Sequence, residues 1–132
     1  MIERAFVGNY YAGTVDRVGI LNDGRRYLID LKTSNGIYDT YWLQLAAYSS
    51  LYRETEANLA MELDGVAILW LNAKTRTERL GQGIGWQFLS ETDISVISEK
   101  LDLFNSVRAI WEQSAEKKVP KVVTYQLRHQ KE

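Results

Sequence analysis

The amino-acid sequence predicts a single α/β domain, a mixed β-sheet flanked by helices, and three observations lead there. Segments of strand character and segments of helical periodicity follow one another in the order β, β, β, α, β, β, α. The run Val66-Ala67-Ile68-Leu69-Trp70-Leu71 is apolar throughout rather than alternating, as in a strand buried on both faces inside a sheet. The chain has 132 residues, 45% hydrophobic and 25% charged, which suits one packed globular unit spanning 1–132.

Each element has its own signal. From Ala5 to Leu21, aromatic and β-branched residues broken by Gly8, Gly13 and Gly19 read as two extended segments. Asn22-Asp23-Gly24 is a strong turn signal, and Tyr27 to Lys32 forms a third strand, so strands two and three make a hairpin. After a polar link from Thr33 to Gly36, Asp39 or Thr40 caps a helix from about Tyr41 to Ala57, with Leu45, Tyr48 and Tyr52 near one stripe. That helix packs on the early hairpin. Val66 to Leu71 and Gly85 to Leu89 supply two more strands. Ser90, with Asp93 three residues on, then opens a long helix in the manner of a capping box, reaching about Lys117. Ile94, Ile97, Leu101, Leu103, Phe104, Val107 and Trp111 give this helix its apolar face, and Pro120 ends it.

Composition excludes several chemistries. Without cysteine there is no disulfide, thiolate zinc site, cysteine nucleophile or cysteine-ligated iron–sulfur cluster. His129 is the single histidine, which rules out a multi-histidine metal site within one chain. No apolar run approaches the ~20 residues that span a bilayer, and Met1-Ile2-Glu3-Arg4 lacks secretory-signal character, so an intracellular, cytoplasmic location is expected. The net charge is −1, but its distribution is uneven: the tail 117–132 sets five basic residues against Glu132, a balance of +4. Such a tail suits phosphate contact or plain solvation.

The chemistry concentrates in the third strand. Alternation places Leu28, Asp30 and Lys32 on one face and Tyr27, Ile29 and Leu31 on the other. Burying an ionised carboxylate without a partner costs several kcal/mol, so Asp30 needs Lys32 or a cation beside it. The preceding strand carries a second acid, Asp16. A tight hairpin about Asn22 to Gly24 is expected to set Asp16 near the start of strand three rather than opposite Asp30. The two carboxylates then converge only if the strands splay or bulge, for which Gly13 and Gly19 give licence. From spacing alone, Asp16 also reads as an exposed strand residue and Asp30–Lys32 as a local ion pair.

Three runs sharpen this: Gly13-Thr14-Val15-Asp16, then Leu28-Ile29-Asp30-Leu31-Lys32-Thr33, then Gln44-Leu45-Ala46-Ala47-Tyr48. In order and spacing they resemble the PD-(D/E)XK nuclease superfamily, in its RecB-like and Cas4-like branch, which shows Gly-x-x-Asp, Asp-x-Lys-Thr and Gln-x-x-x-Tyr. The resemblance covers roughly residues 5–72, and the absence of cysteine places it with the members that lack an iron–sulfur cluster. It implies a restriction-endonuclease-like core and a DNA nuclease dependent on Mg²⁺ or Mn²⁺, acting as an exonuclease on DNA ends or single strands. In that scheme Asp16, Asp30 and the Leu31 backbone carbonyl are metal ligands, and Lys32 serves the attacking water. Gln44 and Tyr48 support the site and contact DNA. Thr33 contacts phosphate or simply begins the loop. Roles in DNA repair or recombination, or a phage origin, fit the same resemblance.

Further contacts are expected at the periphery. Arg25, Arg26, Lys74, Arg76 and Arg79 sit at turns or strand ends, where cations reach backbone phosphates or are merely solvated. Trp70 and Trp111 fall on expected core faces, leaving Trp42 and Trp86 as base-stacking candidates. Family members carry a helical region ahead of the Gly-x-x-Asp strand that adds a Glu or His to the metal site. Here Glu3 is the sole acid upstream of Asp16. Either the protein is a minimal version of the family, or the chain is a fragment whose N-terminal segment completes the site, or a protein partner supplies the element, and the alternative function is a non-catalytic or partner-completed DNA-binding or assembly module of the same fold.

Overall fold

A computed structural model describes residues 2–56, 62–71 and 85–115. The order β1 (Ile2–Val7), β2 (Ala12–Ile20), β3 (Arg26–Lys32), α1 (Asp39–Thr55), β4 (Gly65–Leu71), β5 (Trp86–Glu91) and α2 (Ile94–Ser114) matches the expected sequence of elements. The expected helix ends at Ala57 and Lys117, the stop at Pro120, the basic tail and the cations Lys74, Arg76 and Arg79 lie outside the described residues.

The five strands lie side by side in chain order. β1 and β2, β2 and β3, and β4 and β5 pair antiparallel, whereas β3 and β4, joined through α1, pair parallel. The sheet is therefore mixed. The β2–β3 connection uses its sequence as a turn demands. Gly24 takes φ 78°, open to a residue without Cβ, the Leu21 and Arg25 backbones close on each other, and the Asp23 carboxylate accepts from the Arg25 N–H at 2.9 Å.

Both helices serve one face of the sheet. Val15, Val18, Leu28, Val66 and Ile68 form a core with Leu45, Ala46, Leu51 and Tyr52 of α1 and Ile97 of α2. Tyr27, Ile29 and Ala67 form a second cluster on the other face, with Leu21, Leu69 and Phe88 against it. The apolar run of β4 is thus explained by burial on both sides.

The helix ends differ from expectation in instructive ways. Tyr38 is the N-cap residue of α1 and gives no side-chain cap, so Asp39 and Thr40 lie inside the helix rather than before it. Asp93 is itself the N-cap of α2, accepting from the Ser95 N–H at 2.8 Å. Ser90 cannot play that part because β5 holds it, paired with Ala67.

The apolar face of α2 also divides. Ile97, Leu101 and Phe104 turn inward at helical spacing, Phe104 meeting Tyr11 edge to face. Ile94, Leu103, Val107 and Trp111 are exposed, Trp111 at 66%, which corrects its expected place in the core. Trp70 does pack against the core, and its indole N–H donates to the Ser34 carbonyl at 2.8 Å, fixing the loop between β3 and α1.

Candidate metal and catalytic centre

β3 presents its residues in the alternation read from sequence. Leu28 enters the core beneath the helices, Tyr27 and Ile29 enter the opposite cluster, and Asp30 and Lys32 share the helix-side face. Asp30 is only 5% exposed. Lys32 Nζ lies 2.7 Å from Asp30 Oδ2 as an ion pair, and no other donor reaches that oxygen. Burial, which disfavours the charged form, raises the Asp30 pKa above the usual carboxylate value; Lys32 opposes the shift and nearby Asp16 adds to it.

Lys32 is held from three sides. Besides Asp30, its ammonium donates to Gln44 Oε1 at 2.9 Å and lies 4.5 Å from the centre of the Tyr41 ring, a cation–π distance. Gln44 in turn donates through Nε2 to the Tyr48 hydroxyl at 2.8 Å. One turn of helix separates Gln44 from Tyr48, so α1 presents both along one line. Tyr48 can lie close to β2 because residue 13 is glycine. A Cβ there would come within 2.4 Å of the Tyr48 ring. The glycine of the first motif and the tyrosine of the third are thus two sides of one contact.

Asp16 reaches the site by a route the sequence reading had wrong. The β2–β3 register runs Ile20↔Arg26, Gly19↔Tyr27, Val18↔Leu28 and Arg17↔Ile29. One further step sets Asp16 across from Asp30, so no shift of register is required. Ladder pairing ends at Arg17, however, and the strands part there. Val15 and Val18, three residues apart, both enter the same core cluster, so the strict alternation of β2 breaks between them. Across the gap, Asp16 Oδ2 accepts from the Leu31 N–H at 2.9 Å. The expected splay is therefore present, centred on Asp16 rather than on Gly13 or Gly19.

β1 is distorted at the same level. Ile2 pairs with Arg17 and Arg4 with Val15, which sets Glu3 beside Asp16, but Glu3 has φ 23°, outside the strand region. Among the described residues no three acidic or histidine side chains gather as a metal cluster. Glu3 is exposed and does not join the Asp16–Asp30 pair.

The remaining expected contacts fall elsewhere. Arg26 begins β3 and Lys32 ends it, about 20 Å apart along the strand. The Arg26 guanidinium donates to the Glu62 carbonyl at 3.2 Å. Thr33 is exposed directly after Lys32, and Leu31 leans to the opposite face. Trp42 packs against the core and lines a cavity of about 490 Å³ between α1, β5 and α2. Trp86 shares the parity of Phe88, on the sheet face away from Asp30. The aromatic rings beside the centre are Tyr41 and Tyr38, which sequence reading missed. Their spacing of nine and six residues from Lys32 in a loop-to-helix transition carried no periodic signal.

No family model matches the chain, and no curated protein matches it. Among solved structures, the crystal structure of SSO0001 is similar over 90% of this chain and 59% of its own, at 14% identity and a TM-score of 0.38. The chain thus spans about three fifths of that protein's length. A likeness of this degree carries no argument about activity.

Proposed function

We propose that this domain is a restriction-endonuclease-like nuclease core of the PD-(D/E)XK type, hydrolysing DNA phosphodiester bonds with Mg²⁺ or Mn²⁺ and acting as an exonuclease on ends or single strands. One observation carries the reading: Asp30 is a buried carboxylate whose Oδ2 is met by the Lys32 ammonium of its own strand and by no other donor, with Asp16 across the strand gap.

The donor set fits a hard cation. Two carboxylates with water completing the shell is the ordinary way proteins hold Mg²⁺, so Asp16 and Asp30 suffice as protein ligands, with the Leu31 carbonyl a third by resemblance. When bound, the cation neutralises charge on the phosphodiester and lowers the pKa of a water. The chain's own residues do the rest. Lys32, fixed by Gln44 and Tyr41, sets a positive charge beside Asp30, where it orients the attacking water and stabilises the extra negative charge on phosphorus oxygens. Tyr48 accepts from Gln44 and so keeps its hydroxyl proton for a further acceptor, such as a phosphate oxygen.

End-labelled single-stranded and duplex DNA with Mn²⁺ tests this, with flap and RNA substrates in the same panel. Wild type should cut, and Lys32→Ala should lose about 10²-fold or more in kcat. Equal cleavage by wild type and Lys32→Ala removes the assigned role of Lys32.

The absence of a third acidic ligand among the described residues supports a second reading, a partner-completed or non-catalytic DNA-binding module. Binding to DNA without cleavage under any divalent metal, and no metal binding at Asp16 and Asp30, would favour it.

A further inference from the structure

We infer that Tyr38, backed by Tyr41, is a stacking platform for one nucleobase of a single strand whose phosphate lies at the Asp30–Lys32 centre; this rests on the nuclease reading above.

Tyr38 is 53% exposed, a large ring left in water at the end of the loop that leaves β3. It occupies the N-cap of α1, a position that favours Ser, Thr, Asp or Asn, and it makes no cap hydrogen bond. Local stability does not explain the choice, and such exceptions concentrate where a residue serves binding.

The ring is nonetheless held in place. It meets Tyr41 perpendicularly, with centroids 5.4 Å apart and planes at 88°, a contact that leaves at least one face of Tyr38 open. Tyr41 is tied to Lys32 by the cation–π contact, so the two contacts in series keep Tyr38 within about 10 Å of the ammonium. The loop beneath it is pinned by Trp70 Nε1 on the Ser34 carbonyl and by Ser34 Oγ on the Gly36 carbonyl. An exposed, oriented aromatic face on a pinned loop is what base stacking uses, and stacking tolerates any base.

The occupant is a base rather than an apolar peptide side chain because of what adjoins the ring. Continuing from Tyr38 through Tyr41, the surface ends at a lysine ammonium and two carboxylates, a centre matched to phosphate and cation. A nucleotide joins a flat π-face to a phosphate, and the surface offers a partner for each.

The test compares wild type, Tyr38→Ala, Tyr38→Phe and Tyr38→Trp on a single-stranded oligonucleotide and on copies carrying one abasic residue at successive positions, with Mn²⁺. Tyr38→Ala should raise KM about 10- to 100-fold, the range for one stacked base, with kcat changed much less. Tyr38→Phe and Tyr38→Trp should retain wild-type KM. One abasic position should impose the same penalty on wild type and none on Tyr38→Ala. Melting temperatures show whether each variant folds. If wild type cuts and Tyr38→Ala matches its KM, or if the abasic penalty persists in Tyr38→Ala, the platform is wrong and the nuclease reading stands. If wild type neither binds nor cuts nucleic acid, both are wrong.

Discussion

Asp30 is a carboxylate withdrawn from water, and its ionisation opposes folding. Its folded-state pKa is raised, chiefly by burial, so the folded chain holds the proton more tightly than the unfolded chain. The destabilisation is absent at low pH and appears as pH rises through the raised value. Asp30→Asn should therefore melt above wild type at neutral pH without added metal, and the difference should shrink as pH falls into the carboxylate range. A difference independent of pH would contradict the account. Gly13 carries the complementary lesson. Gly13→Ala forces a Cβ against the Tyr48 ring, and overpacking of this kind costs about 1–3 kcal/mol. Since Tyr48 anchors Gln44 and Gln44 holds Lys32, activity should fall by about 10²-fold for a displacement near 1 Å, while Tyr48→Ala in the Gly13→Ala background should recover stability. Asp30 and Lys32 were legible from strand alternation because both lie on one regular strand. The register of Asp16 follows from the turn as well, since positions 16 and 30 lie seven residues either side of Asp23; what the sequence does not show is that ladder pairing stops at Arg17 and leaves Asp16 to reach the Leu31 N–H.

At the scale of the element, each cap decides where a helix begins, and short polar residues near a boundary compete for the role. Asp93 wins over Ser90 because β5 continues through Glu91. Asp93→Ala should lower stability, seen as a lower denaturant midpoint with an unchanged m-value. Tyr38 is the opposite case. Tyr38→Asp supplies the absent cap and should stabilise by about 1 kcal/mol, while weakening nucleic-acid binding through loss of the ring and gain of a negative charge. Both effects together in one variant would mark a position where function overrides local stability. The capping residue of α2 was visible in the sequence as one of a pair, Ser90 and Asp93, whereas at α1 neither Asp39 nor Thr40 caps because the helix already begins at Asp39. Where each helix starts was not legible, since that depends on how far the neighbouring strand and loop extend. The apolar residues of α2 misled for a related reason: they cover more of the helix than one partner helix can bury, and only the Ile97–Leu101–Phe104 stripe faces inward.

The whole molecule couples the centre to the fold through β3, which is buried on both faces and flanked by β2 and β4. Asp30 sits among the same residues that hold the sheet to α1, so a cation that offsets the cost of its buried charge stabilises the entire domain. A cation bound to the folded chain and not to the unfolded one adds RT ln(1 + [L]/Kd), about 2.7 kcal/mol at a hundred times Kd. For a domain of this size that is on the order of 10 °C in melting temperature. Mn²⁺ should therefore raise the melting temperature of wild type, in a concentration-dependent way, and leave Asp30→Asn unchanged. Asp16→Asn should keep only part of the shift, because its carboxylate lies across the strand gap and also serves the Leu31 N–H. The comparison separates the two functional readings without any cleavage assay. The partner-completed or non-catalytic reading gives no shift for the isolated chain, whereas an equal shift in wild type and Asp30→Asn places the metal elsewhere and removes the carboxylate pair as its site.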